Sequence, residues 1–252
     1  MGGAVSRPQV VVAHRGAHRH GPGSENSMRA FRDVITKGFA RFECDLLPSA
    51  DDEVVVVHGP RSGHGGGVPG DLKVVESRWA QLAQVRLAEG EGLPRLGELL
   101  QLVAGCEQVE AVLELKDTGL GRARNLAFAG LVSRLVEASG VGGRVEYISF
   151  DYAILLELRR LEPAARCSPL EHVHALERYL ADGMYGVDFD QAEHFSSPEE
   201  IGAYQRAGLV VNSWTVNERE RMEELLGWGI DRITTDEPEL LASLVGHRSG
   251  GR

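Results

Sequence analysis

Glu43 and Asp45 stand two residues apart in the apolar run Phe42-Glu43-Cys44-Asp45. In a strand that spacing puts both carboxylates on one face. Like charges so close repel unless something positive lies between them. A hard divalent cation held by oxygens would relieve the repulsion. A β-branched run, Val54-Val55-Val56-Val57-His58, follows the polar turn Ser49-Ala50-Asp51-Asp52-Glu53. This pattern predicts a hairpin-like return that carries His58 back toward the carboxylates. Taken alone, the stretch also fits a surface strand with ordinary charges.

Other residues able to do chemistry stand at the ends of apolar runs. They are His14-Arg15, Glu114 with Lys116, and Trp214. The runs that would position them alternate with helical patterns along the whole chain. Strands are expected at Val10–Ala13, Ala40–Leu46, Glu110–Leu115, Arg144–Ile148, Ala165–Ser168, Gly186–Phe189, Leu209–Trp214 and Asp231–Thr234. Each is followed by a helix. The first helix is expected over Glu25–Lys37, capped by Ser24, with Met28, Ala30, Phe31, Val34 and Ile35 at helical spacing. Later helices are expected at Ser77–Gln84, Leu96–Ala104, Arg122–Ala138, Asp151–Arg160, His172–Ala181, Pro198–Ala207, Asn217–Leu226 and Glu237–Val245.

Eight strand–helix units in 252 residues fit one α/β domain, a TIM (β/α)8 barrel with a small glycine-rich insertion at about 59–92 after the second strand. A doubly wound open sheet is the competing architecture. It lacks support, because no GxGxxG or Walker-type loop is present. In a barrel, the strand ends named above converge on one mouth, and active sites lie there. Core strands rarely carry charge without a partner or a task.

The convergence of these residue types points to phosphate-ester chemistry. Glu43, Asp45 and Glu114 can hold one divalent cation, Mg²⁺ or Ca²⁺. Arg15 and Lys116 add fixed positive charge for phosphate oxygens. His14 and His58 offer an acid and a base. Cys44, between the two site carboxylates, should face the opposite side as a core residue. His18, His20 and His64, in glycine-flanked polar loops, are read as solvated.

Composition narrows the partners. The formal net charge is −10, which disfavours non-specific nucleic-acid binding. No run approaches the ~20 apolar residues of a membrane span. The start Met1-Gly2-Gly3-Ala4-Val5-Ser6 matches a myristoylation pattern loosely and is read as a disordered N-terminus, so no stable membrane anchor is expected. Three scattered cysteines, Cys44, Cys106 and Cys167, form no disulfide framework, and a cytoplasmic location is expected. The Gly246–Arg252 tail is expected to fray. Oligomeric state is not legible.

In order along the chain, these motifs resemble those of the glycerophosphodiester phosphodiesterases. His14-Arg15-Gly16 resembles the family's opening motif. Glu25-Asn26 resembles the core of its Pro-Glu-Asn-Thr motif, with Ser24 and Ser27 at the flanks. Glu43-Cys44-Asp45 matches its Glu-x-Asp pair, His58 the histidine of its His-Asp motif, and Glu114-Leu115-Lys116 its Glu-Leu-Lys. Leu93-Pro94-Arg95-Leu96 resembles its Ile-Pro-Thr-Leu. Trp214-Thr215-Val216-Asn217 and Thr234-Thr235-Asp236-Glu237-Pro238 match the late motifs.

The resemblance implies a barrel that hydrolyses small glycerophosphodiesters to an alcohol and glycerol 3-phosphate. A hydroxyl of the substrate's glycerol would attack phosphorus first, giving a cyclic phosphate that water opens. The resemblance places the metal on Glu43, Asp45 and Glu114, and acid–base roles on His14 and His58. Arg15, Lys116 and Trp214 fall to the substrate, and Glu25 and Asn26 to support of the site. Two departures stand out. Gly59 replaces the aspartate that usually follows the second histidine, and a glycine-rich excursion from Pro60 to Gly70, expected to be flexible, replaces the segment that shapes the leaving-group side. Two alternatives stay open: a phospholipase C- or D-like enzyme acting on a lipid, and a phosphate-ligand-binding barrel without turnover.

Overall fold

In a computed structural model of the chain, residues 10–59 and 72–249 are described. The elements follow the expected alternation. β1 (Val11–Ala13) leads to α1 (Met28–Thr36), then to β2 (Arg41–Pro48) and β3 (Val54–Val56). Helices α2 (Trp79–Leu82) and α3 (Leu96–Ala104) precede β4 (Glu110–Leu115). The second half runs α4 (Arg122–Ser139), β5 (Val145–Ser149), α5 (Tyr152–Leu161), β6 (Arg166–Pro169), α6 (Leu176–Ala181), β7 (Gly186–Asp190), α7 (Pro198–Arg206), β8 (Val210–Trp214), α8 (Arg219–Gly227), β9 (Arg232–Thr235) and α9 (Pro238–Ser249).

Eight strands pair in parallel in the order β6-β5-β4-β2-β1-β9-β8-β7. The ends of that order meet where the Tyr185 amide donates to the Cys167 carbonyl at 2.8 Å. The result is a nearly closed barrel, as the alternation predicts. β3 lies off the ring and pairs antiparallel with β2, in the register Leu46↔Val56. It is the return that the Val54–Val57 run predicts.

Strand alternation sorts the residues into two cores. Cys44 belongs to the large outer core between strands and helices, where Phe42 packs on Phe31 of α1 with ring centroids 4.7 Å apart. A separate apolar layer, Val12, Val112, Ile148 and Leu170, has Phe150 and Trp214 packed against it. The segment after β3 carries its own small core. Val74, Leu82, Val85 and Leu93 pack on Leu47, Val55 and Val57. Burying each such aliphatic side chain contributes about 1.5–3 kcal/mol, which holds the described part of the insertion on the barrel.

Several expected boundaries move. β2 continues beyond Leu46 to Pro48, because its last residues leave β4 and pair with β3 instead. α1 starts at Met28, not Glu25, and its cap is Ser27, whose hydroxyl accepts from the Ala30 amide at 3.1 Å. α2 is one short turn. α6 starts at Leu176 rather than His172, since the His174 amide is spent on the Tyr179 hydroxyl at 3.1 Å. α9 runs through Ser249, so the first part of the expected frayed tail is helical. The myristoylation-like start and the whole Pro60–Gly70 excursion, with His64, lie outside the described residues. Among the described residues no helix is long and apolar enough to cross a membrane.

Candidate active site

The barrel mouth gathers the predicted residues. His14, Arg15, Glu43, His58, Glu114, Lys116 and Trp214 line one pocket of about 90 Å³, together with Phe150, Asp188 and Thr234. Its depth comes from the period of two. Glu43 and Asp45 on β2 and Glu114 on β4 all point inward, and Asp45 stands opposite Glu114 in the strand register. The three carboxylates are 3%, 0% and 7% exposed, and one oxygen from each lies within 4.8 Å of the others.

Two cations partly balance them. The Lys116 Nζ sits 2.7 Å from Asp45 Oδ1 and 2.6 Å from Glu114 Oε1. The Arg15 Nε lies 3.1 Å from Asp45 Oδ2, and its Nη1 donates to Glu25 Oε2 at 2.8 Å. The Lys116 contacts and the Arg15 Nε contact are ion pairs off the best hydrogen-bonding directions. The Arg15 amide donates to Glu43 Oε2 at 3.0 Å, while Glu43 Oε1, also buried, has no hydrogen-bond partner among the described residues.

Asn26 explains why α1 starts late. Its side-chain amide donates to Asp45 Oδ2 at 2.8 Å, and its carbonyl oxygen accepts from the Asp45 backbone amide at 3.2 Å. Its own amide donates to the Arg15 carbonyl at 3.0 Å. Arg15 (φ 51°) and Asn26 (φ 56°) both adopt the left-handed region. Such strain persists only where the surroundings hold it, typically at a functional site. The Glu25-Asn26 pair therefore serves the pocket rather than the helix.

The carboxylates respond differently to burial. Burial opposes the charge on Asp45, but Lys116, Arg15 and His58 outweigh it and hold its pKa well below the usual range. Burial, then Asp45 and Glu114, push Glu43 far up. Glu114 is pushed up to about 7, by burial against the pull of Lys116 and with added repulsion from Asp45. Protein cations satisfy one acid of the three. An all-oxygen cluster with an unpartnered buried oxygen fits a hard divalent ion such as Mg²⁺ or Ca²⁺. Glu43, Asp45 and Glu114 can hold one.

The two histidines enter from different strands, His14 after β1 and His58 after β3. His14 Nδ1 lies 2.7 Å from Asp236 Oδ1, and Nε2 is 3.9 Å from Glu43 Oε2. Burial opposes the Asp236 charge, but His14 and then Asn217 bring its pKa down to about 2. An ionised Asp236 accepts from Nδ1–H, which leaves Nε2 as the open position facing the carboxylates. Asn217 locks Asp236 in turn: Nδ2 donates to Oδ2 at 2.8 Å, and Oδ1 accepts from the Asp236 amide at 2.9 Å. His58 follows β3 and borders both the mouth pocket and an outer groove.

Sequence reasoning assigned no role to Asp236, Asn217 or Asp188. The signal for Asp236 was available, since β1 and β9 must be neighbours in a closing barrel and His14 and Asp236 each follow one of them. Trp214 lines the pocket as expected. Its Nε1 donates to the Asp188 carbonyl at 3.0 Å, and its ring meets Phe150 edge-on at 5.5 Å. The Asp188 carboxyl accepts from Asn212 at 2.7 Å, and burial pushes its pKa up to about 8. His20 is exposed and pairs with Glu237 at 2.8 Å. His18 is closer to the chemistry than its loop suggested, with Nε2 3.9 Å from Asp236.

Gly59 has a physical reason for departing from the resembled motif. Its φ is +79°, and a Cβ there would meet Leu47 Cδ1 at 2.6 Å. The backbone after His58 takes a course that an aspartate would enter only with strain.

Known proteins match along nearly the whole chain. The model of the "Glycerophosphoryl diester phosphodiesterase family" matches residues 14–240. The chain is 28% identical to a glycerophosphodiester phosphodiesterase of Caldanaerobacter subterraneus subsp. tengcongensis, over 96% of this chain and 99% of that one. A crystal structure of a glycerophosphodiester phosphodiesterase from Parabacteroides distasonis superposes with a TM-score of 0.85 at 28% identity, covering 95% and 97% of the two chains. An Oleispira antarctica phosphodiesterase in complex with the product sn-glycerol-3-phosphate has a TM-score of 0.80 at 20% identity, over 94% and 96%, which shows likeness of fold.

Proposed function

We propose a mechanism for this chain, which belongs to the glycerophosphoryl diester phosphodiesterase family: metal-dependent hydrolysis of a small glycerophosphodiester to an alcohol and glycerol 3-phosphate. The observation that carries it is the convergence of three buried carboxylates, two cations and two histidines on one mouth pocket. Glu43, Asp45 and Glu114 would hold the divalent ion, and a bound ion would supply charge neutralisation and Lewis acidity at the phosphate. Arg15 and Lys116 stand beside it to receive the remaining phosphate charge. Glu25 and Asn26 fix Arg15 and Asp45.

The histidines divide the proton work. Asp236 holds the His14 Nδ1 proton, so Nε2 takes the proton of the attacking glycerol hydroxyl. The new P–O bond closes a cyclic phosphate as the bond to the alcohol breaks. His58, on the groove side, gives its proton to the departing alkoxide. Water then opens the ring with the roles exchanged, and both histidines return to their first state. Trp214 closes the wall beside the glycerol. The barrel and its inserted segment act as one catalytic domain, and the three cysteines, free of any disulfide, fit a cytoplasmic enzyme.

The test is release of glycerol 3-phosphate from glycerophosphocholine with Mg²⁺ or Ca²⁺ and with a chelator. Turnover with either ion, abolished by chelation and restored by the ion, is expected. Undiminished turnover in excess chelator would overturn the metal assignment, and no turnover with either ion would overturn the activity.

A further inference from the structure

An outer groove of about 690 Å³ joins the small mouth pocket and shares His58, Lys116 and Phe150 with it. Its apolar wall is Leu47, Val74, Val75, Leu120 and Phe150. Leu120 is 52% exposed, a large apolar side chain left in solvent beside the site. The polar groups around this wall are engaged with one another. Lys73 pairs with Glu76 at 3.0 Å. Asp117 accepts from the Gly119 amide and from Asn125, each at 2.9 Å. The Thr118 hydroxyl donates to Asn125 at 2.6 Å. Lys116 is held by Asp45 and Glu114.

We infer that this groove receives the leaving alcohol, and that it favours alcohols with an uncharged apolar body over a compact cationic amino alcohol. The inference rests on the proposed phosphodiesterase reaction. A phosphate held beside Glu43 and Glu114 sits in the mouth pocket, and His58, Lys116 and Phe150, which line both spaces, lead from it into the groove. The inner pocket is small and sets charged residues beside an apolar wall of Ile148, Leu170 and Trp214, which suits a glycerol phosphate. The groove has the size of a small-molecule site and walls that reward apolar contact. Among the described residues its two acids are engaged, Glu76 by Lys73 and Asp117 by Asn125 and the Gly119 amide, so neither is left without a partner for a cationic amine.

The test compares kcat/KM for the methyl, n-hexyl and choline diesters of glycerol 3-phosphate, with Mg²⁺ present. Methanol and hexanol leave with nearly equal basicity, so their ratio reads the groove rather than the chemistry. A methylene fully buried is worth about 0.8 kcal/mol, and a half-open groove should yield about twofold per methylene, or about thirtyfold between hexyl and methyl. The choline diester should fall well below the hexyl one although choline is the better leaving group. Leu120→Glu should reduce the hexyl-to-methyl ratio by about tenfold, as charge enters the apolar wall. A flat methyl-to-hexyl series, a choline diester preferred tenfold over hexyl, or a ratio unmoved by Leu120→Glu would each overturn the groove assignment. Loss of all three substrates in the wild type would instead overturn the phosphodiesterase reaction on which the assignment stands.

Discussion

The two ends of this barrel carry buried charge in opposite ways. At the strand starts Arg232 is ion-paired with Glu146, whose other oxygen accepts from the Ser168 hydroxyl at 2.7 Å. Nearby, Glu110 lies 2.9 Å from Arg41 and 3.5 Å from Arg166, and Tyr185 is flanked by the Arg166 and Arg232 guanidinia. Glu146 and Glu110 each have an arginine. At the strand ends three acids share one ammonium and one guanidinium, and a buried Glu43 oxygen has no partner among the described residues. The lower end is complete as built, while the upper end keeps a cluster of three acids that could hold a cation. Both ends are buried, so burial alone does not mark a site. Unbalanced charge does.

The largest effects should fall on the upper end and on rate. His14→Ala and His58→Ala should each lower kcat by about 10²- to 10⁴-fold. A p-nitrophenyl diester, which needs no acid for its leaving group, should rescue His58→Ala and not His14→Ala. The reverse pattern would exchange the two roles. Steady-state kinetics on choline and p-nitrophenyl diesters decides this.

The next effect separates stability from catalysis. Glu146→Gln leaves Arg232 buried without its counter-charge and should cost about 3–5 kcal/mol in urea unfolding. Glu43→Gln removes a poorly compensated buried charge, so the ion-free protein should be as stable as wild type or more so, while turnover falls about 10²- to 10³-fold. If both variants lose stability equally, the two ends do not differ as described.

A smaller effect is the slope of stability with pH. The Glu114 pKa in the folded chain is raised from 4.5 to about 7, first by burial. Its proton is therefore held more tightly folded than unfolded, and ion-free stability should fall as pH rises from about 4.5 to about 7. Glu110 behaves oppositely. Burial opposes its charge, but Arg41 and Arg166 lower its pKa, so its contribution is present above 4.5 and lost as pH falls through its folded pKa. Denaturant midpoints in wild type, Glu114→Gln and Glu110→Gln should show the slopes flattening in different pH ranges. Flattening in the same range would contradict the assignment.

Much of this contrast was legible in the sequence at one end only. Glu43, Asp45, His58 and Glu114 stand out because charge in a β-branched or apolar run is costly, and the period of two tells which face they share. The ring of strands was legible for the same reason. Glu25-Asn26 reads as a helix start because local pattern favours it. The resemblance assigns the pair to support of the site, and the contact of Asn26 with Asp45, across 19 residues, shows how the chain is spent on the pocket. The His14–Asp236 contact spans 222 residues and follows from barrel closure, not from any local signal. The lack of room for a Cβ at Gly59 comes from Leu47, a residue of β2 that pairs with β3 in the hairpin.

The most direct test of an incomplete upper end is thermal unfolding against added Mg²⁺ or Ca²⁺, in wild type and in Glu43→Gln and Glu114→Gln. A ligand that binds only the folded state stabilises it by about 2.7 kcal/mol at one hundred times its Kd. The wild-type Tm should rise by several degrees and saturate, and both variants should respond weakly at the same concentrations. A wild type that does not respond, or variants that respond as strongly, would contradict a cation site at these three carboxylates.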